Sequence, residues 1–160
     1  MANSVFTGEF DQLDRAILEE LQINGRITVA DLGRKIHLSP PAVYQRIKRM
    51  ERAGLIRSYT VEIDQEMAGY HLLCFIRLTL HPHSRELLDS LQTHITQLAE
   101  VVECYHTAGS YDVLLKVLVT DHRMLDQLVK DKLMTTPGVT RVETDVVLSV
   151  MKATTAIKLV

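Results

Sequence analysis

The stretch "LSPPAVYQRIKRMERAGLI", Leu38–Ile56, decides how the rest of the chain is read. Ser39 is a favoured N-cap, and Pro40 suits the first helical position, where no amide donor is lost. At about 100° per residue, Val43, Ile47 and Met50 fall on one side of the helix that follows. Tyr44, Gln45, Lys48, Arg49 and Arg52 fall on the other side, with Arg46 at its edge. Gly54 is placed as a C-cap. One face therefore needs cover from other helices, and the other is cationic and outward.

Upstream, two helices are available to supply that cover. "TVAD", Thr28–Asp31, is a capping pattern, and Val29, Leu32 and Ile36 make an inward stripe behind it. Leu13, Ala16, Ile17, Leu18 and Leu21 keep helical spacing. Asp11 can cap that helix, with Asp14 in its first turn favoured by the dipole. "INGR" breaks it at Gly25. A capped helix, a short turn and a basic helix predict a helix-turn-helix, whose second helix enters a DNA major groove. The plainer alternative is a basic face that is only solvated. Downstream, "LIRSYTVEI" alternates and predicts a strand pair, a small wing with Arg57 near a backbone phosphate.

Charge is segregated along the 160 residues. The net charge is −2, so the chain is not a basic nucleic-acid coat. Between Thr28 and Arg57, however, seven Lys and Arg face two acids, whereas from Gln65 onward nine face eleven. Two modules with different partners follow: residues 1–64, a winged helix-turn-helix with its wing and linker, and residues 65–160.

The second module alternates strands and helices. "LLCFIRLTL" (Leu72–Leu80) reads as a half-buried strand; Leu87, Leu88, Leu91, Ile95 and Leu98 as a helix; "VVECYHTA" as a strand. Gly109-Ser110 is a two-residue hairpin signal before "YDVLLKVLV". Met124, Leu125, Leu128, Val129 and Leu133 give another helix, ended by "TPG", and "VTRVETDVVLSVMK" a final long strand. The fold class is α+β, with a βαββαβ ferredoxin-like domain after the winged helix-turn-helix. Both helices cover one sheet face. Leu73, Phe75, Val102 and Val146 are expected on the other, which predicts a homodimer, sheet against sheet.

Other chemistry is sparse. Cys74 and Cys104 form no metal or disulfide pattern and read as packed thiols in a reduced cytoplasm. There is no secretory signal and no apolar run long enough to span a membrane, so the expected location is cytoplasmic, with no membrane partner. His81 and His83 flank Pro82; an exposed loop is a better reading than a metal pair. No nucleotide-binding, zinc-protease or serine-hydrolase motif stands out, so no catalytic residue, metal or cofactor is expected.

The segments "LDRAILEELQINGR", "LSPPAVYQRIKRMERAGLI", "VVECYHTAGSYDVLLKV", "TPGV" and "VVLSVMKATT", in this order, resemble the Lrp/AsnC family of feast/famine transcription regulators. The resemblance runs from about Phe10 to Val160. It implies a winged helix-turn-helix and a RAM/ACT-like domain that binds an amino-acid effector, in dimers that assemble into tetramers or octamers. The family's "GxYD" ligand turn stands here as Gly109, Ser110, Tyr111 and Asp112. His122, Thr144 and Val146 match positions that line or respond to the effector. The chemistry is compatible: Asp112 can accept from an ammonium, and amides beside Gly109 can donate to a carboxylate. The alternative is a hairpin in which Asp112 satisfies only its own turn.

The expected function is a sequence-specific regulator of double-stranded DNA. Ser39, Pro41, Tyr44 and Gln45 approach base edges, while Arg46, Lys48, Arg49 and Arg52 hold phosphates. A dimer would read half-sites about 34 Å apart, or a multiple of that. Two rivals remain: an architectural DNA-binding protein without effector, and a decarboxylase-like tetrapyrrole enzyme of the same fold. The basic face of the third helix, which an enzyme does not need, speaks against the latter.

Overall fold

The computed structural model describes residues 11–159; Phe10 and Val160, the limits of the resemblance, lie outside them. The chain divides into two compact units. The first holds the described residues up to Glu62 and those from Lys152 onward, and the second runs Ile63–Met151. The C-terminal segment thus belongs with the first unit, where the sequence assigned everything from 65 to 160 to the second. Apolar residues near the end, Ile157 and Leu159, explain the return: Leu159 packs on the core of the first unit.

Three helices build the first unit: α1 (Gln12–Ile23), α2 (Val29–Ile36) and α3 (Pro40–Arg52). Asp11 and Asp14 form a reciprocal capping box at α1, and the Thr28 hydroxyl accepts from the Asp31 amide at α2. The α1 helix ends at Ile23 with Asn24 as its cap, just ahead of Gly25. Ser39 caps α3 in position but without a side-chain hydrogen bond. At the other end Gly54 takes φ 75°, the Leu55 amide reaches the Met50 carbonyl, and the Gly54 amide reaches Glu51. That is a Schellman closure, which requires a left-handed residue at this place. Ile17, Leu32, Val43 and Met50 are fully buried where the three helices meet.

The turn between α2 and α3 is three residues, His37–Ser39, with His37 itself left-handed. It closes tightly against α2. The Leu38 amide donates to the Gly33 carbonyl, and a Cβ on Gly33 would lie 2.6 Å from the Leu38 oxygen.

No strand forms between Leu55 and His71 among the described residues, so the expected wing pair is absent and Arg57 sits exposed in irregular chain. An alternating segment still needs a partner for its amides, and a lone hairpin is marginal without a packed face.

The second unit is a four-stranded antiparallel sheet in the order β2-β3-β1-β4. Its elements are β1 (Leu72–Leu80), α4 (Arg85–Ile95), β2 (Val101–His106), β3 (Val113–Val119), α5 (His122–Gln127) and β4 (Val139–Val146). The expected βαββαβ order holds. The α5 helix continues as a π-helical turn, Leu128–Leu133, with Met134 donating to Val129. Cys74, Ile76, Leu78 and Leu80 of β1 and Val113, Leu115, Val117 and Val119 of β3 face the helices and are buried with Leu91, Ile95, Leu128 and Leu133.

Details differ from the sequence reading. The β2–β3 connection is six residues long, not two, and Gly109 has no positive φ. The β4 strand ends at Val146 and does not run on to Lys152. Val146 pairs with Cys74, which puts it on the helix side, not on the open face with Leu73 and Phe75. Val102 sits at a register shift, where β2 departs from strict alternation. Cys104 is exposed, while Cys74 is buried as expected. Among the described residues no helix is long and apolar enough to cross a membrane.

Gly33→Ala should destabilise the first unit, although alanine is the better helix former by about 1 kcal/mol. The methyl meets backbone rather than a movable side chain, so we expect a net loss of about 1–3 kcal/mol in urea unfolding. A neutral or stabilising result would mean that the turn relaxes away from α2.

Candidate DNA interface and effector region

The basic helix α3 divides as its spacing dictates, with one exception. Val43, Ile47 and Met50 are buried, and Ser39, Pro41, Tyr44, Gln45, Arg49 and Arg52 are exposed. Arg46 is the exception. Its Nη1 donates to Asp11 at 2.6 Å and to Asp14 at 2.9 Å, and its side chain is three-quarters covered. Arg49 also donates to Asp14. Asp14 is fully buried, so the two guanidinium groups supply the charge and hydrogen bonds that make its burial tolerable. The carboxylates raise the Arg46 pKa further, by accepting its hydrogen bonds, Asp11 first and then Asp14. The Asp14 amide and then Arg46 hold the Asp11 carboxyl below its usual range. Arg46 is therefore a structural anchor between α3 and α1, with little of it left uncovered to meet a phosphate.

The outer face carries a second network. Lys48 donates to Glu51 at 2.6 Å and lies over the Tyr44 ring at 5.7 Å. The Tyr59 hydroxyl donates to the other Glu51 oxygen at 3.1 Å. Burial, then Glu51, pushes the Tyr59 phenol up to about 12. Glu51 thus ties the end of α3 to the segment beyond it and partly neutralises Lys48. Sequence reading passed over both acids: Asp14 registered only as a first-turn dipole partner, and Glu51 only as a minority charge. Arg46 did carry a hint, since it fell at the edge of the cationic arc.

The effector candidates lie apart in a single chain. Gly109, Ser110 and Tyr111 form the β2–β3 connection, and a Cβ on Gly109 would meet nothing within 4 Å. Asp112 closes that connection. Its Oδ2 accepts from the Leu80 amide at 2.7 Å, its Oδ1 lies 3.1 Å from His83 Nδ1, and its own amide donates to the Leu78 carbonyl. Asp112 thus binds β3 to the end of β1 rather than satisfying its own turn, with acceptor capacity left over. His122 opens α5 beyond the far end of β3, about 20 Å away at roughly 3.3 Å per residue. Thr144 and Val146 sit across the sheet on edge strand β4, level with Ile76 and Cys74. No grouping of His, Cys, Asp and Glu suited to a metal occurs among the described residues, His81 and His83 included.

The open face of the sheet alternates apolar and paired charged residues. Lys116 meets Glu103 at 2.9 Å, Arg77 meets Asp145 at 2.7 Å, and Arg141 meets Glu143 at 2.6 Å. Leu73, Phe75, Leu114 and Leu118 share that face by register. Arg77 lies 5.8 Å from the Tyr111 ring centre, and its Nε has no hydrogen-bond partner.

Residues 10–51 match the AsnC-type helix-turn-helix domain, and residues 73–157 match the Lrp/AsnC ligand binding domain. The leucine-responsive regulatory protein of Escherichia coli (strain K12) is 34% identical over 144 residues, which cover 90% of this chain and 88% of that protein. The structure of the transcriptional regulator NMB0573/L-Met complex from Neisseria meningitidis superposes with a TM-score of 0.89 at 30% identity, covering 94% of this chain and 97% of that one. E. coli AsnC superposes with a TM-score of 0.85 at 30% identity, over 93% and 99%.

Removing Asp14 takes away the acceptor that Arg46 and Arg49 share, leaving Arg46 with Asp11 and Arg49 half-exposed. Asp14→Ala, which loses two charge-assisted hydrogen bonds and half of a capping box, should cost about 2–3 kcal/mol in urea unfolding of the first unit, whereas Asp31→Ala, at an exposed pair, should cost well under that. Equal effects would show that the buried pairing contributes nothing special. Glu51→Gln should free Lys48, tightening binding to any DNA by several-fold in a fluorescence titration; unchanged affinity would place Lys48 outside the interface.

Proposed function

Because this chain belongs to the Lrp/AsnC family of transcriptional regulators, we propose that it reads double-stranded DNA through the exposed half of α3. The carrying observation is that α3 buries Val43, Ile47 and Met50 while Pro41, Tyr44 and Gln45 stand free at its N-terminal half. Those three, with Ser39, approach base edges in the major groove; Lys48, Arg49, Arg52 and Arg57 meet phosphates and set register. Arg49 does so while still paired to Asp14.

The second unit receives a small-molecule effector, an amino acid, and no cofactor. The separation of Gly109–Asp112 from His122 and from Thr144 and Val146 supports a site completed by more than one copy of the chain. A homodimer formed by the open sheet faces is favoured by Leu73, Phe75, Leu114 and Leu118 and by the partnerless Arg77 Nε. Larger assemblies, tetramer or octamer, would then bring effector residues of neighbouring dimers together. Effector binding shifts the balance of assemblies only through unequal affinity for them. In this reading the protein works in the cytoplasm as a regulator rather than as an enzyme, and the L-Met bound to the Neisseria meningitidis relative makes amino acids the first class to test.

The test has two arms. A thermal-shift screen against the twenty amino acids should raise the midpoint for one or a few, since a ligand of the folded state must stabilise it. Asp112→Ala should abolish that shift. In parallel, Gln45→Ala should relax base preference at one operator position by about 1–3 kcal/mol while leaving non-specific binding intact. No shift with any amino acid, together with binding indifferent to sequence, would leave the architectural reading; a bound, coloured tetrapyrrole would favour the enzyme.

A further inference from the structure

The end of the chain is seated on the helices that carry the DNA-binding face. The Gln22 side chain grips the backbone of Ile157 from both sides: its Nε2 donates to the Ile157 carbonyl at 3.2 Å, and its Oε1 accepts from the Ile157 amide at 2.7 Å. A primary amide used this way copies the pairing that a neighbouring strand would offer. Alternate residues of the segment, Thr155, Ile157 and Leu159, turn the same way. Ile157 and Leu159 accordingly line a groove with Leu18, Leu21, Gln22 and Ile56, and about 300 Å³ of open space remains beside them. Leu159 is half-buried against the three-helix core.

We propose that residues 155–159 are a releasable strap that occupies this groove and carries the state of β4 to the DNA-binding helices. The attachment is small, two exposed hydrogen bonds and one leucine, which suits a contact that must open and close. The link to β4 is short. Val147 still donates to the Leu73 carbonyl, so four residues, Leu148–Met151, separate the sheet from the segment that joins the first unit. Thr144 and Val146, both effector candidates, lie on that strand. A change in β4 would pull on the strap, and release of the strap would uncover Leu18 and Leu21 and loosen α1, to which Asp14 fastens α3. The coupling, though not the seat, rests on the reading of the second unit as an effector domain.

Hydrogen exchange on the full-length protein, without ligand or DNA, tests the seat. In Leu159→Ser, amides of Leu18–Ile23 and of residues 55–59 should exchange roughly ten-fold faster than in the unaltered chain, with a smaller change in the same direction for Gln22→Ala. Unaltered exchange in both variants would overturn the seat. DNA titrations with and without a mixture of the twenty amino acids test the coupling. A chain truncated after Met151, and Leu159→Ser should the truncation fail to fold, should still bind DNA but lose most of the shift seen with the full chain. A full shift in those variants would overturn the coupling. A full-length chain with no shift at all would overturn it through the effector reading, leaving the exchange result to decide the seat by itself.

Discussion

A buried carboxylate organises the DNA-binding unit. Asp14 lies where α1 meets α3, out of reach of water, and an unpaired charge there would cost several kcal/mol. Arg46 and Arg49 make the position tolerable, and in doing so fix how α3 lies on α1. Hydrophobic burial of Val43, Ile47 and Met50 brings the helices together but constrains their rotation poorly, since apolar contact has no direction. The guanidinium pairs do have direction. The angle at which Tyr44, Gln45 and Lys48 face outward follows from an interaction elsewhere on the helix.

The second unit applies a related constraint at the hairpin. Asp112 joins β3 to β1 by accepting from the Leu80 amide, so the residue that closes the candidate effector turn is also part of the frame of the sheet. Any ligand that engages its remaining lone pairs does so against a rigid backdrop. The turn itself stays open, with free space beside Gly109. Rigidity on one side and openness on the other suit a half-site that waits for a second half.

What could be read from the sequence was what local physics decides. Capping at Asp11 and Thr28, the inward triad of α3, the glycine that closes it and the order of strands and helices all follow from short-range spacing. The misses share one cause, a dependence on partners far along the chain. Arg46 looked like part of a cationic face because Asp14 is 32 residues away. Residues 55–63 alternate like a strand, yet a strand exists only where another backbone accepts its amides. Val146 changed faces because pairing with Cys74, and not its own sequence context, sets which way it points. The return of Ile157 and Leu159 to the first unit had no local signal beyond two apolar residues near the chain end.

The basic block of the first unit also looks different once its pairings are counted. Arg34, Lys35, Arg46, Lys48 and Arg49 each already face a carboxylate of the same unit. Such cations gather few mobile anions in free solution, and a phosphate that takes one of them must share it with a carboxylate or displace that carboxylate, instead of displacing bulk ions. Association is then partly an exchange of one fixed anion for another, so formal charge overstates how strongly this surface feels ionic strength. On the proposed reading, a protein built this way would hold weakly to DNA at large and leave discrimination to the few side chains at the front of α3.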